Sequence, residues 1–325
     1  MIGLFCFALT VLVSPFNSKL RLEAENAVLR HQLMVLTRRL HGRVRLTNND
    51  RWFFIQLYRW VPSGYDTTHV YVAPEDVDKF AASFLSAFGG QSTKQVVATV
   101  TPTPSSTTSQ LLQTPVGTVS LFGFKTPIPY PFGAERTGYL VTDIDEAIKV
   151  AKDSGADVLV ATFPDPIGRD AVIQWPGGVN MQLYWHTTKP SYAAFETIPE
   201  NRVYVSPERA DAFTRGFLRF SHGKVVSDDA HAAGIEIGRK DTFRRIRIES
   251  VFGKMTVFVT YGHLPYPYGR ELTGYEVKDL QGTLTKAKSS GAVVLVDPYT
   301  ADRRVAAMIQ FPGGYIAEIH AATPK

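Results

Sequence analysis

TGYLVTDIDEAIKVAKDSGADVLV at residues 137–160 returns as TGYEVKDLQGTLTKAKSSGAVVLV at 273–296, and reading the two together decides the fold. The copies stay in step without a gap at an offset of 136, through AVIQWPGGVNMQ (171–182) and AMIQFPGGYIAE (307–318). A second pair lies upstream. HVYVAPEDVDKF (69–80) matches RVYVSPERADAF (202–213) at an offset of 133. The offset changes by the shared turn PYPFG (129–133) and PYPYG (265–269), so the later copy holds three extra residues in a loop. Residues 66–186 and 200–320 are therefore duplicates, and each is built from two similar units.

Each unit opens on a short strand and continues into an amphipathic helix. In the first, Val70-Tyr71-Val72 leads to a helix near 75–88, with Val77, Phe80, Ala81, Phe84, Leu85 and Phe88 on one face and Gly89-Gly90 ending it. In the second, Asp143 is placed as N-cap with Glu146 three residues on, and Ile144, Ala147, Ile148 and Ala151 form the apolar stripe before Gly155. Three strands follow the helix. They are expected at 157–162, 170–175 and 179–185 in the second unit, and at 293–297, 305–310 and 315–320 in the fourth, around Pro-Gly-Gly turns. The third unit gives alternating strands at 242–249 and 254–261, and the Thr/Pro/Ser stretch 101–110 of the first reads as a loop. The order is βαβββ, four times.

The chain of 325 residues is long enough for about two domains, and 44% hydrophobic with 20% charged residues is ordinary globular composition. The expected division is a helical N-terminal extension at 1–62 and two similar domains at 63–190 and 196–325. Cys6 is the only cysteine, which excludes a disulfide framework and points to a reducing, cytoplasmic setting. The basic balance is local. Residues 1–61 carry nine Lys/Arg against three acids, which leaves the duplicated part with 26 basic and 27 acidic residues. A pI near 9.1 thus says nothing about what the body binds.

Within the extension, Ile2–Val13 is an apolar run shorter than the roughly 20 residues of a membrane span, and it reads as a buried or fraying helix. Leu22, Leu29 and Leu36 interleave with Asn26, Leu33 and Leu40 as an a/d heptad stripe. That stripe could pair two chains through the 22–40 helix. Residues 19–60 also resemble the N-terminal start of integrase-type insertion-sequence transposases, in which a leucine-rich helix precedes a basic segment, here GRVRLTNNDR (42–51). Arg43, Arg45 and Arg51 could touch phosphate, but a relic without a nucleic-acid role is the preferred reading.

The fourfold βαβββ order, with its V-x-D strand-to-helix junction and P-G-G hairpin, resembles the vicinal oxygen chelate superfamily, which includes glyoxalase I, extradiol dioxygenases and the fosfomycin- and bleomycin-resistance proteins. The resemblance covers about 66–320. It implies an α+β fold of four βαβββ units paired into two half-open mixed β-sheet barrels, each around a substrate cleft. It also implies one divalent metal (Fe, Mn, Ni or Zn) per working cleft. The ligands would come from the first strands, where this chain has His69, Arg136, Arg202 and Leu272, and from the last strands, where it has Gln182 and Glu318. Neither set holds the two His and one Glu of an extradiol dioxygenase. His320 lies two residues past Glu318 on the same strand face and is a substitute ligand; His186 and His263 are further candidates. A salt bridge from Arg202 to Glu318 across the second barrel is the competing expectation.

Without a metal, Arg136 and Arg202 could fork onto an anionic group, and Tyr139, Tyr184 and Tyr275 offer aromatic surface to a planar ligand. No phosphate-binding glycine fingerprint, nucleophile elbow or Cys/His zinc cluster is present. The preferred function is therefore a glyoxalase-like binding protein for a small anionic or aromatic molecule. The alternatives are a metal-dependent lyase, isomerase or dioxygenase with an atypical ligand set, and a nucleic-acid-associated protein acting through the basic helix.

Overall fold

In a computed structural model of the chain, residues 64–323 are described, apart from Lys189, Ser191 and Ala193. The heptad helix, the basic segment and the transposase-like stretch lie outside the described residues.

The first duplicate folds as one mixed sheet. Its strands are β1 (Gly64–Val72), β2 (Gln91–Ser92), β3 (Val96–Ala98), β4 (Thr107–Thr114), β5 (Gly117–Phe124), β6 (Thr137–Leu140), β7 (Asp157–Asp165), β8 (Gly168–Trp175) and β9 (Val179–His186). They lie in the order β2-β4-β5-β1-β6-β9-β8-β7, with β3 beside β4. The second duplicate repeats this with β10 (Glu200–Val205), β11 (Lys224–Ala232), β12 (Phe243–Ser250), β13 (Gly253–Val259), β14 (Leu272–Glu276), β15 (Val293–Ala301), β16 (Arg304–Gln310) and β17 (Ile316–Ala322). Its order is β11-β12-β13-β10-β14-β17-β16-β15. In each sheet the two units meet at an antiparallel pair of first strands, β1 with β6 and β10 with β14, while each first strand runs parallel to the last strand of its own unit. The fold class is thus α+β, four βαβββ units in two half-open barrels.

Among the described residues, four α-helices cover the convex faces: α1 (Val77–Phe88), α2 (Ile144–Asp153), α3 (Pro207–Ser221) and α4 (Leu280–Ser289). The cap reading at 143 holds: the Asp143 carboxylate accepts from the backbone N–H of Asp145 and Glu146 at 3.1 and 3.0 Å. The hairpin turns also follow the sequence. Gly177-Gly178 and Gly313-Gly314 all sit at φ between 82° and 95°, left-handed backbone that a side chain would resist.

The helix-side cores are shared between the duplicates rather than private to each. Phe80 and Phe84 of α1 pack with Tyr275, Phe311 and Tyr315 of the fourth unit. Trp175 of the second unit packs with Phe217 and Phe220 of α3, in the third. Burial of each such ring stabilises by roughly 1.5–3 kcal/mol, so neither sheet has a complete hydrophobic core alone.

Two sequence expectations need correction. Thr107–Gln110 is not loop but the start of β4, fully paired with β5 from Thr107↔Phe124 onward. The irregular stretch is confined to residues 99–106. The long strands also outrun their expected limits: β7 reaches Asp165 and β15 reaches Ala301, each carrying register shifts that break the apolar alternation.

Candidate functional site

Strand alternation sends one set of side chains to the helices and the other into the concave face of each barrel. In the first barrel the concave set encloses a cavity of about 340 Å³. The register shift between Tyr65 and Thr67 lets two successive residues of β1, Asp66 and Thr67, line it. Tyr71 from β1, Phe122 from β5, Asp170 from β8, and Gln182, Tyr184 and His186 from β9 complete its walls.

At the base of this barrel lies an internal pair where the resemblance implied a metal. His69 is fully buried. Its Nε2 meets the Tyr184 hydroxyl at 2.9 Å and its Nδ1 meets Glu135 Oε1 at 3.3 Å. The Tyr71 hydroxyl donates to the same Glu135 oxygen. Gly138 makes this possible, because a Cβ there would stand 2.2 Å from the Tyr184 ring and 2.8 Å from His69 Nε2. Tyr184→Phe is expected to leave His69 Nε2 without its partner, at a cost of about 1–3 kcal/mol in urea unfolding with unchanged circular dichroism. An unchanged midpoint would show the pair to be idle.

Beside that pair sit two carboxyl groups that the sequence reading missed. Asp66 is 3% exposed and Asp170 1%. Gln182 donates to one Asp170 oxygen at 3.0 Å, and His186 Nε2 stands 3.8 Å from one Asp66 oxygen. The Oδ1 atom of each aspartate has no hydrogen-bond partner among the described residues. Burial pushes the Asp66 carboxyl up to about 7, opposed by the Tyr192 hydroxyl beside it. Burial also holds Asp170 well above the usual carboxylate range, reinforced by the charges of Asp165 and Asp66. His186 is shifted down by burial, against the pull of Asp165, and so favours its neutral form. A signal was available: Asp66 and Asp170 correspond to Pro199 and Ala306 in the other copy, so the duplicates differ where the cavity lies.

The second barrel is filled from within. Arg202 Nη1 lies 2.8 Å from Glu200 Oε1 and 3.3 Å from Glu318 Oε1, and its guanidinium stacks on Phe258 at 4.7 Å. Glu318 Oε2 meets His320 Nδ1 at 2.7 Å, and Arg304 reaches the other Glu200 oxygen at 2.9 Å. Arg245 pairs with Glu236 and Asp302, and Arg247 with Asp302. Burial alone would raise Glu200 and Glu318, but Arg304 and Arg202 hold Glu200 far below its ordinary range, and Arg202 with His320 lowers Glu318. Apolar clusters around Leu272, Met308 and Ile316, and around Ile237, Phe243 and Phe258, pack within the same barrel.

Several expected site residues therefore fall elsewhere. Tyr139 and Tyr275 point to the helix-side cores, because they are odd where Gly138 and Gly274 are the cleft-facing positions of their strands. Arg202 is committed to two carboxylates rather than open to an anion. Arg136 is half-buried and away from the cavity: its carbonyl accepts from His69 N–H at 2.9 Å, and its charge opposes the burial that raises Glu271 to about 8. Of the three tyrosines only Tyr184 lines the cavity. His263 is exposed in a turn at φ 56°.

The donor set does not suit a divalent ion in either barrel. In the first, both His69 nitrogens are engaged, Gln182 turns its amide nitrogen to Asp170, and Arg136 holds the other first-strand position. In the second, the guanidinium of Arg202 occupies the space beside Glu318 and His320. Among the described residues, no group of three or more His, Cys, Asp or Glu side chains is placed to hold a metal.

Similarity to solved structures is found at the level of fold. A variant of 4-hydroxymandelate synthase from Streptomyces coelicolor matches with a TM-score of 0.56 at 12% identity, over 82% of this chain and 94% of that one. The 2,3-dioxygenase LapB from Pseudomonas sp. KL28 matches at 0.49 and 12% identity, over 80% and 92%. A catechol 2,3-dioxygenase matches at 0.46 and 12% identity, over 81% and 90%. No protein-family model matches the chain, and no curated protein sequence does. Among the described residues no helix is long and apolar enough to cross a membrane.

Proposed function

We propose that the chain is a vicinal oxygen chelate-type protein that binds a small organic molecule in its first barrel without a metal, its second barrel serving as scaffold. The observation that carries this is the contrast between duplicates: one concave face encloses a cavity of about 340 Å³, and the other is packed with ion pairs and apolar side chains. A cavity of that size suits a ligand of one or two rings. Phe122 and Phe132 supply buried apolar wall, while Val96 and Ile167, 57% and 58% exposed, present apolar surface at its lip. The lining supports a flat apolar body held in place by a few polar groups.

Ser120, buried in the cavity wall, offers a test. Small aromatic compounds that raise the unfolding temperature of the chain should lose that effect in Ser120→Phe, which fills the cavity. Stabilisation of about 2.7 kcal/mol is expected at a hundredfold excess over Kd. A compound that stabilises both proteins equally would place binding outside the first barrel.

A further inference from the structure

The two barrels differ in how their buried carboxylates are neutralised. In the second, the protein supplies the cations itself, with Arg202 between Glu200 and Glu318 and Arg304 on the far side of Glu200. In the first, the residue at the Arg202 position is His69, already engaged by Tyr184 and Glu135. Two carboxylates nonetheless face the cavity there, each nine-tenths or more buried and each with one oxygen unpartnered among the described residues. Asp165 adds a third acid to the wall. The opposing charge is slight: Lys94 is exposed at the lip, and His186 favours its neutral form. Tyr71 and Tyr184 have their hydroxyls spent on Glu135 and His69.

From this geometry we infer that the ligand of the first barrel is a cation: a protonated amine or amidine on a flat apolar body, its N–H groups donating to Asp66 and Asp170. The inference rests on the first-barrel reading above and names the chemistry it would select. An amidinium or ammonium brings what both orphaned oxygens lack, a charged donor, and the two carboxyls are buried, where a charge-assisted bond is strong. A carboxylate or phosphate ligand would meet three acids and gain only the solvent-exposed ammonium of Lys94. A neutral amide could donate to the same oxygens, but it brings no charge to hold either buried carboxyl in its ionised form.

The groups packed around Asp66 set a pH signature. They are His186 and Tyr184 on β9, Asp170 on β8, Asp165 on β7, Tyr192 in the connecting segment and Lys94 at the lip. Burial raises both carboxyls and only their ionised forms pair with a cation, so binding should release protons and weaken as pH falls, Asp66 contributing its part through about 7.

The experiment is calorimetric titration of the full chain with matched aryl compounds: benzamidine and benzylamine, the neutral benzamide and benzyl alcohol, and benzoate. The cations are expected to bind at least about tenfold more tightly than the neutral partners, with no heat from benzoate, the scale of a charged hydrogen bond. Asp170→Asn, nearly isosteric, should remove that preference. Benzoate or benzamide binding as well as benzamidine would overturn the cation and leave the first-barrel reading standing. Absence of binding by any of them, or equal binding to the Ser120→Phe variant, would overturn both. If Asp170→Asn fails to fold, the order of the matched compounds on the unaltered chain decides alone.

Discussion

Arg202→Met is expected to lower the free energy of unfolding by about 3–5 kcal/mol, read from urea denaturation near neutral pH. The cause is what the guanidinium leaves behind. Glu200, Arg202 and Glu318 are all 4% exposed or less, and removing the cation strands two buried carboxylates that keep Arg304 and His320 as contacts and the charge of Arg247 nearby. Replacing the three together by Met and two Gln should be much milder, since an intact buried ion cluster is close to neutral against its uncharged counterpart. Gly274 fits the same account, because a Cβ there would stand 2.9 Å from Glu318 Oε2 and 3.1 Å from Arg202 Cδ. A folded Arg202→Met protein of ordinary stability that had lost ligand binding would instead return Arg202 to the binding role expected of it from sequence.

Asp66→Asn should do the opposite and stabilise the unliganded chain, by up to about 4 kcal/mol at pH near 8. Burial raises the folded-state carboxyl from 3.8 to about 7. The folded protein therefore holds this proton more tightly than the unfolded chain does. Its contribution is fully present at low pH, declines as pH rises from about 4, and has gone by the time pH passes about 7. An asparagine has no proton to lose, so the gain over the parent should vanish near pH 4 and be greatest in mild alkali. Equal stability of the two proteins across that range would mean that Asp66 finds a partner the described residues do not supply. A stabilising change that also abolishes amidine binding would mark Asp66 as a group kept for its ligand at a cost to the fold.

How far the sequence reached follows from what repeats and what does not. The four units, their helices and the Pro-Gly-Gly hairpins were legible because the copies at offsets 133 and 136 reinforce one another. So was the Arg202–Glu318 bridge, since both residues fall at equivalent, cleft-facing positions. The tyrosines at 139 and 275 misled because a strand assigns faces by parity alone, and one residue decides between cleft and core. Asp66 was hidden by the register shift at Tyr65/Thr67, which no local pattern announces. Sharing of the helix-side cores between first and fourth units, and between second and third, is a tertiary fact: each helix shows only that it has an apolar face, not which sheet covers it.

The most direct measurement is benzamidine titration of the full chain in excess EDTA, repeated after removing the chelator and adding Fe(II), Mn(II), Ni(II) or Zn(II) in turn. The first-barrel, metal-independent site requires the same affinity in every case and loss of the signal in Ser120→Phe. Binding that appears only with one of the ions, and disappears on changing His69 or Glu318, would contradict it and restore the metal-dependent reading.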